Sequence, residues 1–531
     1  MKKRPSFLLA ALSGILLSAA WPVSPLTALI FIAWTPLLWL EYQGISRRKF
    51  FGWTYLTMLI WNTAATWWIW NASAPGAIGA ILANSLLMCL PWLGFHFVKS
   101  RAGERTGYLS LIAFWLSFEY LHLHDWGLSW PWLTLGNVFA TRTDWIQWYE
   151  FTGVSGGSAW IMIVNLLLFL LLRKKWMQAT FHKGYALSAA AALALPLLAS
   201  LYIRHTAAQP AETPQQGSNI VIVQPNIDPY EKLETGSFDA QLNKLLRLSE
   251  SALDSHTVLV IWPETAIYME NGIEEDKIKQ NYFLNPLWDF LRRHPHLNLL
   301  TGIETFRKYK GPETATAFRF PDADVWYDSY NAAMILDSTG SLAVYHKSRL
   351  VPGVETLPPY LKFIAAWFEK FGGTTGGYAG QAERTVMPTS NHSYKIAPSI
   401  CYESIYGEFM SAYTRNGADL IAVITNDGWW GNTPGYHQHE NYARLRAIEA
   451  RRWLVRSANT GVSCIIDPYG KIIDPQPWAQ PAVIKASVPA NKTLTFYVKH
   501  GDLLSPVAVT AAILLFAWTL LVIIKNRKER G

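Results

Sequence analysis

Three residues of different chemistry stand at the ends of apolar runs in the second half of the chain. They are Glu264 in Trp262-Pro263-Glu264-Thr265, Lys347 in Tyr345-His346-Lys347, and Cys401 in Ser399-Ile400-Cys401-Tyr402-Glu403. A carboxylate, an ammonium and a thiol are the parts needed for acyl transfer through a thioester. A thiol with a pKa of about 8.5 is mostly protonated at neutral pH and needs a base as it attacks. An ammonium beside the forming tetrahedral oxygen stabilises its charge, and a second carboxylate such as Glu355 can hold that ammonium in place. A thioester lasts long enough to meet an amine. Each residue alone has a plainer reading: Glu264 and Glu355 as loop carboxylates, Lys347 as part of a basic patch, Cys401 as an inert buried thiol. Together they meet the demands of one reaction, which raises the joint reading above the separate ones.

The elements that must position these groups are strand-like runs at Ile220–Gln224, Val258–Trp262, Leu297–Gly302, Ala332–Asp337, Leu342–His346, Lys395–Ile400, Leu420–Thr425, Leu454–Ser457, Cys464–Asp467 and Ala482–Ser487. Helix-like runs lie between several of them, at Phe238–Leu253, Asp276–Arg293, Ser404–Asn416 and His437–Arg452. Alternation in some places and hairpin pairing in others predict a mixed sheet sandwich covered by helices. Cys401 then falls on a sharp strand-to-helix turn, where a nucleophile is exposed.

The first half is built differently. Half of the 531 residues are apolar and only 16% are charged. A spanning helix needs about 20 mainly apolar residues. Candidate runs are Ser6–Ala20, Pro25–Leu40, Phe51–Trp70, Ala77–Val98, Tyr108–Leu121, Gly157–Leu172, Tyr185–Ile203 and Leu504–Ile524. Basic residues cluster at Arg47–Lys49, Lys99–Arg105, Arg173–Lys183 and Lys525–Arg530, whereas the alternate loops carry almost none. The positive-inside rule then predicts eight spans with both termini cytoplasmic. The expected domains are a seven-helix membrane domain (1–203), a linker (204–218), an exported catalytic domain (219–503), a C-terminal membrane helix (504–524) and a cytoplasmic tail (525–531). In a bacterium the multi-pass protein would lie in the inner membrane with its catalytic domain on the periplasmic face. The distribution of charge disfavours nucleic acid as the reason for the net +8.

Many of the 26 tryptophans lie near the ends of apolar runs, a placement that aromatic belts at the lipid–water boundary explain, and those of the loop His122–Gly156 read first as such a belt. That loop has a second reading as a lipid-entry rim. Glu119 and His122, near a span end, are expected to be wetted, because charge at a membrane centre is costly. Cys89 and Cys464 read as packing residues, and three cysteines make no disulfide framework. His437 and His439 are two apart on a helix start and share no face, so no metal is assigned, and no cofactor.

At these residues the chain resembles the nitrilase superfamily. The motifs are Trp262-Pro263-Glu264-Thr265, Lys347-Ser348-Arg349-Leu350-Val351-Pro352 with Glu355, Cys401-Tyr402-Glu403, and a block from Thr425-Asn426-Asp427-Gly428-Trp429-Trp430-Gly431 through Gln438-His439 to Arg456-Ser457-Ala458-Asn459. With the eight predicted spans it looks like the superfamily's membrane branch, the apolipoprotein N-acyltransferases, over essentially its whole length. The resemblance implies an α-β-β-α sandwich with Glu264 as general base, Lys347 as oxyanion-stabilising cation and Cys401 as nucleophile. It further implies Glu355 as a supporting carboxylate, and Tyr402 and Glu403 shaping the site. It also implies a phospholipid acyl donor, a diacylated apolipoprotein acceptor and a monomer. The chain departs from the pattern at Pro352-Gly353-Val354-Glu355, at Pro225 and near Leu233. The segment 360–371, aromatic and followed by glycines, reads equally as a mobile lipid-facing arm or a core helix. Rival readings are a membrane-tethered amidase and a non-catalytic membrane scaffold.

Overall fold

Runs such as Ile220–Val223, Val258–Ile261 and Leu420–Ile424 are apolar at every position, the signature of strands buried on both faces. The computed structural model describes residues 5–124, 126–178, 182–206, 218–229, 238–270, 272–320, 323–357, 361, 363 and 377–529. Its described residues form two units, one from Met1–Trp70, Ala74–Ala207 and His500–Gly531, the other from Asn71–Ser73 and Ala208–Lys499.

In the second unit the apolar runs become the centres of two sheets. The first carries β1 (Asn219–Gln224), β2 (Thr257–Ile261), β3 (Ile273–Glu274), β4 (Asn298–Tyr309), β5 (Phe318–Arg319), β6 (Trp326–Asp337), β7 (Leu342–His346) and β14 (Ala482–Ser487). Its order is β14-β1-β2-β4-β6-β5, with β3 on β4 and β7 on β6. The second holds β8 (Met387–Pro388), β9 (Lys395–Ile400), β10 (Leu420–Thr425), β11 (Trp453–Ala458), β12 (Cys464–Ile466) and β13 (Ile472–Ile473), in the order β13-β12-β11-β10-β9-β8. Strands β1, β2 and β4 run parallel, as do β9, β10 and β11, so several strand ends point the same way within each sheet. Ser457 Oγ on β11 donates to Val223 O on β1 at 2.8 Å, which joins the sheets face to face. Helices at Phe238–Glu250 and Asn285–Arg293 bury Leu242, Leu245, Leu287 and Phe290 against the outer face of the first sheet. Helices at Gly407–Arg415 and Pro434–Ala450 accompany the second. The order helix, sheet, sheet, helix is the expected sandwich.

Two helix expectations need correction. Asp276–Arg293 is not one helix: 3-10 turns at Glu275–Gln280 and Tyr282–Leu284 precede the α-helix. Asn281 accepts from Phe283 N at 3.0 Å, and Pro286 starts a new helix, so local chemistry overrides the periodicity. Ser404–Asn416 begins as a 3-10 turn at Cys401–Ile405 before Gly407–Arg415 becomes helical.

In the first unit the helices are α1 (Ser6–Ala20), α2 (Thr35–Tyr42), α3 (Arg47–Thr66), α4 (Ala74–Leu87), α5 (Cys89–Ala102), α6 (Glu104–Leu123), α7 (Tyr149–Gln178) and α8 (Lys183–Thr206). The late helix Leu504–Lys528 joins them. Among the described residues, four helical stretches are long and apolar enough to cross a membrane: Ala74–Ala102, Tyr149–Trp176, Lys183–Thr206 and Leu504–Lys528. The run Pro25–Leu40 is not continuous. It breaks between a 3-10 turn, Thr27–Phe31, and α2. Asn165 on α7 satisfies the break, accepting from Trp34 N and donating to Ile30 O, both at 2.8 Å. The tryptophans are not all a belt. Trp34, Trp61, Trp92 and Trp115 are fully buried, and the Trp34 ring lies 5.1 Å from those of Trp92 and Trp115. Residues 131–140 of the expected rim loop are buried too. Glu119 and His122 are buried rather than wetted: Glu119 accepts from Leu135 N at 2.7 Å and Trp115 Nε1 at 2.8 Å. Paying the burial of a carboxylate with designed donors makes an internal position tolerable. Most of the expected linker and of segment 360–371, and Leu233, lie outside the described residues.

Strand β4 passes so close to the end of β2 that position 302 admits only glycine. A Cβ on Gly302 would fall 2.3 Å from Thr265 N and 2.6 Å from Glu264 Cα. Gly302→Ala is therefore expected to lower stability by about 1–3 kcal/mol, read as a drop in the thermal unfolding midpoint of the purified protein. An unchanged midpoint would contradict this packing.

Candidate active site

Each of the three groups sits just past the end of a strand. Beyond β2, Trp262 N still donates to Leu300 O at 2.8 Å and Pro263 O accepts from Gly302 N at 3.1 Å. The chain is thus held to β4 up to Glu264, and Thr265 then turns it with φ +47°. Lys347 follows β7, and its backbone N donates to Asn331 O on β6 at 2.8 Å. Cys401 follows β9 with φ +51°. A left-handed conformation at a residue with a Cβ costs roughly 1–2 kcal/mol and persists only where the surroundings enforce it.

The structure brings Glu264, Lys347 and Glu355 into direct contact. Lys347 Nζ donates to Glu355 Oε1 at 2.7 Å and to Glu264 Oε1 at 3.1 Å. Lys347 is 1% exposed, so this cation is withdrawn from water. Glu355 is placed by a small loop: Gly353, at φ +78°, donates its N–H to Thr356 O, and Val351 N donates to Glu355 Oε2 at 2.8 Å. With Pro352-Gly353-Val354 in this turn, the carboxylate of Glu355 still reaches the lysine. Asn426 N donates to the other oxygen of Glu264 at 3.1 Å. Tyr402 and Glu403 are buried at the turn. Glu403 ties the lysine loop to the cysteine turn. Its Oε1 accepts from Tyr345 OH and Ser348 N, both at 2.6 Å, and its Oε2 accepts from Ile400 N at 2.8 Å.

The charges follow from this packing. Burial opposes the charge on Lys347, but Glu264, Glu355 and Cys401 outweigh it and hold its pKa well above the usual lysine range. Burial, then the Glu264 carboxylate, pushes the Cys401 thiol well up, against the opposing pull of Lys347. Cys401 therefore rests as a thiol, and any attack by its sulfur would need a base to take the proton. Burial lifts Glu403 to about 6 despite its donors.

Several contributing residues carried no assigned role in the sequence. Asn331, inside β6, donates from one amide nitrogen to Glu264 Oε1 at 2.8 Å and to Glu355 Oε1 at 3.0 Å. Asn331 precedes the apolar run Ala332–Leu336 and follows Asp328 and Ser329, so its type alone gave little signal. Asp427, His439 and Arg456 form a buried group below the turn. Of the two histidines weighed as metal ligands, His437 is half-buried near Glu440, and His439 faces inward to Asp427. Among the described residues no group of three or more His, Cys, Asp or Glu is arranged to hold a metal ion. Cys89 and Cys464 are buried, as packing residues would be.

A strand-end carboxylate, lysine and thiol on this sandwich define a nitrilase-like carbon–nitrogen hydrolase module. The Carbon-nitrogen hydrolase family model matches residues 219–495, and the model of the apolipoprotein N-acyltransferase N-terminal domain matches residues 13–167. The apolipoprotein N-acyltransferase of Chlorobaculum tepidum is 33% identical over 525 residues, 95% of each chain. That of Azotobacter vinelandii is 29% identical, covering 99% of this chain and 96% of the relative. That of Geobacter metallireducens is 27% identical, covering 96% and 94%. The chain belongs to the apolipoprotein N-acyltransferase family.

Removing the Glu264 charge is expected to have opposite effects on two reactions of Cys401. In Glu264→Gln the carboxylate no longer raises the thiol pKa, so alkylation by iodoacetamide at pH 7.5 should be faster than in wild type. Acyl transfer should fall by about 10²–10⁴-fold, the loss expected when a general base is removed. Competing rates measured by mass spectrometry check this, and parallel losses in both would contradict it.

Proposed function

We propose that Glu264, Lys347 and Cys401 carry an acyl chain from a phospholipid, through a Cys401 thioester, to the α-amine of the S-diacylglyceryl cysteine at the N-terminus of an apolipoprotein. The observation that carries this reading is the buried Lys347, paired with two carboxylates and electrostatically coupled to Cys401, in a chain of this family. In the first half-reaction Glu264 takes the thiol proton as Sγ attacks the ester carbonyl. The tetrahedral oxygen, newly negative, is stabilised by the Lys347 ammonium. Collapse breaks the ester C–O bond, and the proton returns from Glu264 to the departing lysophospholipid oxygen. In the second half-reaction the amine attacks the thioester, Glu264 takes an amine proton, and the C–S bond breaks. The sulfur recovers that proton, and the product is an N-acylated lipoprotein. Glu355 and Asn331 hold Lys347 and Glu264 in register, and Tyr402 and Glu403 shape the turn.

Glu264 can serve both half-reactions because each deprotonates the attacker and reprotonates the leaving group. In this reading eight spans place the protein in the inner membrane of a bacterium, with both termini cytoplasmic and the 219–503 domain in the periplasm, acting as a monomer. The long apolar helices and the basic clusters beside them support that placement. The acyl donor is then drawn from the outer leaflet of the same membrane.

Incubation with a phospholipid of defined chains should leave an acyl-sized adduct on Cys401 when no amine is present. Addition of a diacylated lipopeptide should discharge it to an N-acyl product, and Cys401→Ala should do neither. Lys347→Met should lower the rate of adduct formation by about 10²–10³-fold. Release of free fatty acid at an equal rate with or without lipopeptide would make the protein a hydrolase instead.

A further inference from the structure

The strained turn at Cys401 is clamped from two directions. On its N-terminal side Glu403 accepts from Ile400 N at 2.8 Å. On its C-terminal side the Cys401 carbonyl accepts from Ser404 Oγ at 2.8 Å and faces His439 Nε2 at 3.1 Å. His439 Nε2 also lies 3.0 Å from Ser404 Oγ. A carbonyl can only accept, so Nε2 carries a proton whichever charge state the ring adopts. The ring itself is 1% exposed, with the Trp430 ring at its edge, 5.5 Å between centroids.

The far side of the imidazole is fixed by a buried ion pair. His439 Nδ1 lies 3.0 Å from Asp427 Oδ1 and 3.2 Å from an Arg456 Nη2 donor. Arg456 in turn donates to Asp427 Oδ2 at 2.5 Å and to Val462 O at 2.7 Å. Thr425 Oγ1 donates to Asp427 Oδ1 at 3.0 Å. Packing alone would ask only for an apolar side chain of this size. Instead the ring is oriented at one nitrogen and spends the other on the carbonyl of the nucleophile's own peptide.

We propose that His439, oriented by Asp427 and Arg456, is a positioning residue that holds the Cys401 turn in its left-handed conformation, with the thiol among Glu264 and Lys347. Its value for acyl transfer rests on the reading of Cys401 as nucleophile; its value for the geometry of the thiol does not. Loss of the Nε2 donor frees the carbonyl, lets the turn relax, and withdraws the sulfur from the burial and the Glu264 carboxylate that together keep it protonated.

Two readouts test this in the full-length protein in detergent: the pH profile of Cys401 alkylation by iodoacetamide, and acyl-enzyme formation from phospholipid. His439→Leu is expected to shift the alkylation profile to lower pH. It should also slow acyl-enzyme formation by about 10²-fold at unchanged KM for phospholipid. His439→Gln, whose amide can still donate to the carbonyl, should restore both towards wild type. Ser404→Ala, which removes the second donor and leaves the core packing intact, should move both in the direction of His439→Leu by a smaller factor; it decides the matter if His439→Leu fails to fold. A wild-type alkylation profile in His439→Leu or, failing that, in Ser404→Ala overturns the proposal, as does a His439→Gln protein as impaired as His439→Leu. Failure of the wild type itself to form a thioester would overturn the acyl-transfer reading and leave the alkylation result to judge His439.

Discussion

A lysine ammonium removed from water must be matched by negative charge, and that requirement organises this site. Lys347 is 1% exposed and meets Glu355 at 2.7 Å and Glu264 at 3.1 Å. Loss of either partner from a buried pair typically costs about 3–5 kcal/mol, because it leaves a charge uncompensated. The two carboxylates are unequal in use. Glu355 is held by its own loop through Val351 N, whereas Glu264 also meets Asn426 N at the end of β10. The first reads as the anchor and the second as the group that faces the chemistry.

The scaffold brings that arrangement about by ending strands close together. Parallel strands in two stacked sheets deliver Glu264 from one sheet and Cys401 from the other, while Lys347 arrives from β7 at the edge of β6. Glu403 then joins the Lys347 loop to the Cys401 turn through backbone donors on both sides. A carboxylate buried for such a purpose is destabilised as an anion, which is why burial lifts it to about 6. The same junction carries backbone strain, with Cys401 held left-handed just past the end of β9.

Much of the two-sheet unit was legible because its central strands are buried on both faces and therefore apolar at nearly every position. The boundaries of Lys395–Ile400, Leu420–Thr425, Leu342–His346 and Ala482–Ser487 are the same in sequence and structure. The helix at 276–293 was misjudged because Asn281 and Pro286 interrupt a pattern that periodicity alone treats as continuous. In the helical unit, apolar runs told where helices lie but not what their polar and aromatic residues do. Asn165 mending the break before Trp34, Trp115 packed at the centre, and Glu119 receiving Leu135 N are all long-range pairings with no local signature. The same holds within the site. Glu264, Lys347 and Cys401 were found by their chemistry at strand ends. Asn331 and His439 act through partners tens of residues away, and only the fold reveals them.

Lys347 and Glu355 depend on one another as a buried pair. A double-mutant cycle of Lys347→Met and Glu355→Gln, read as free energy of unfolding of the purified protein, measures that dependence directly. The single substitutions together should cost more than the double one, with a coupling of about 1–3 kcal/mol. Losses that simply add, within about 0.5 kcal/mol, would show that the two charges do not sustain each other and would contradict the account.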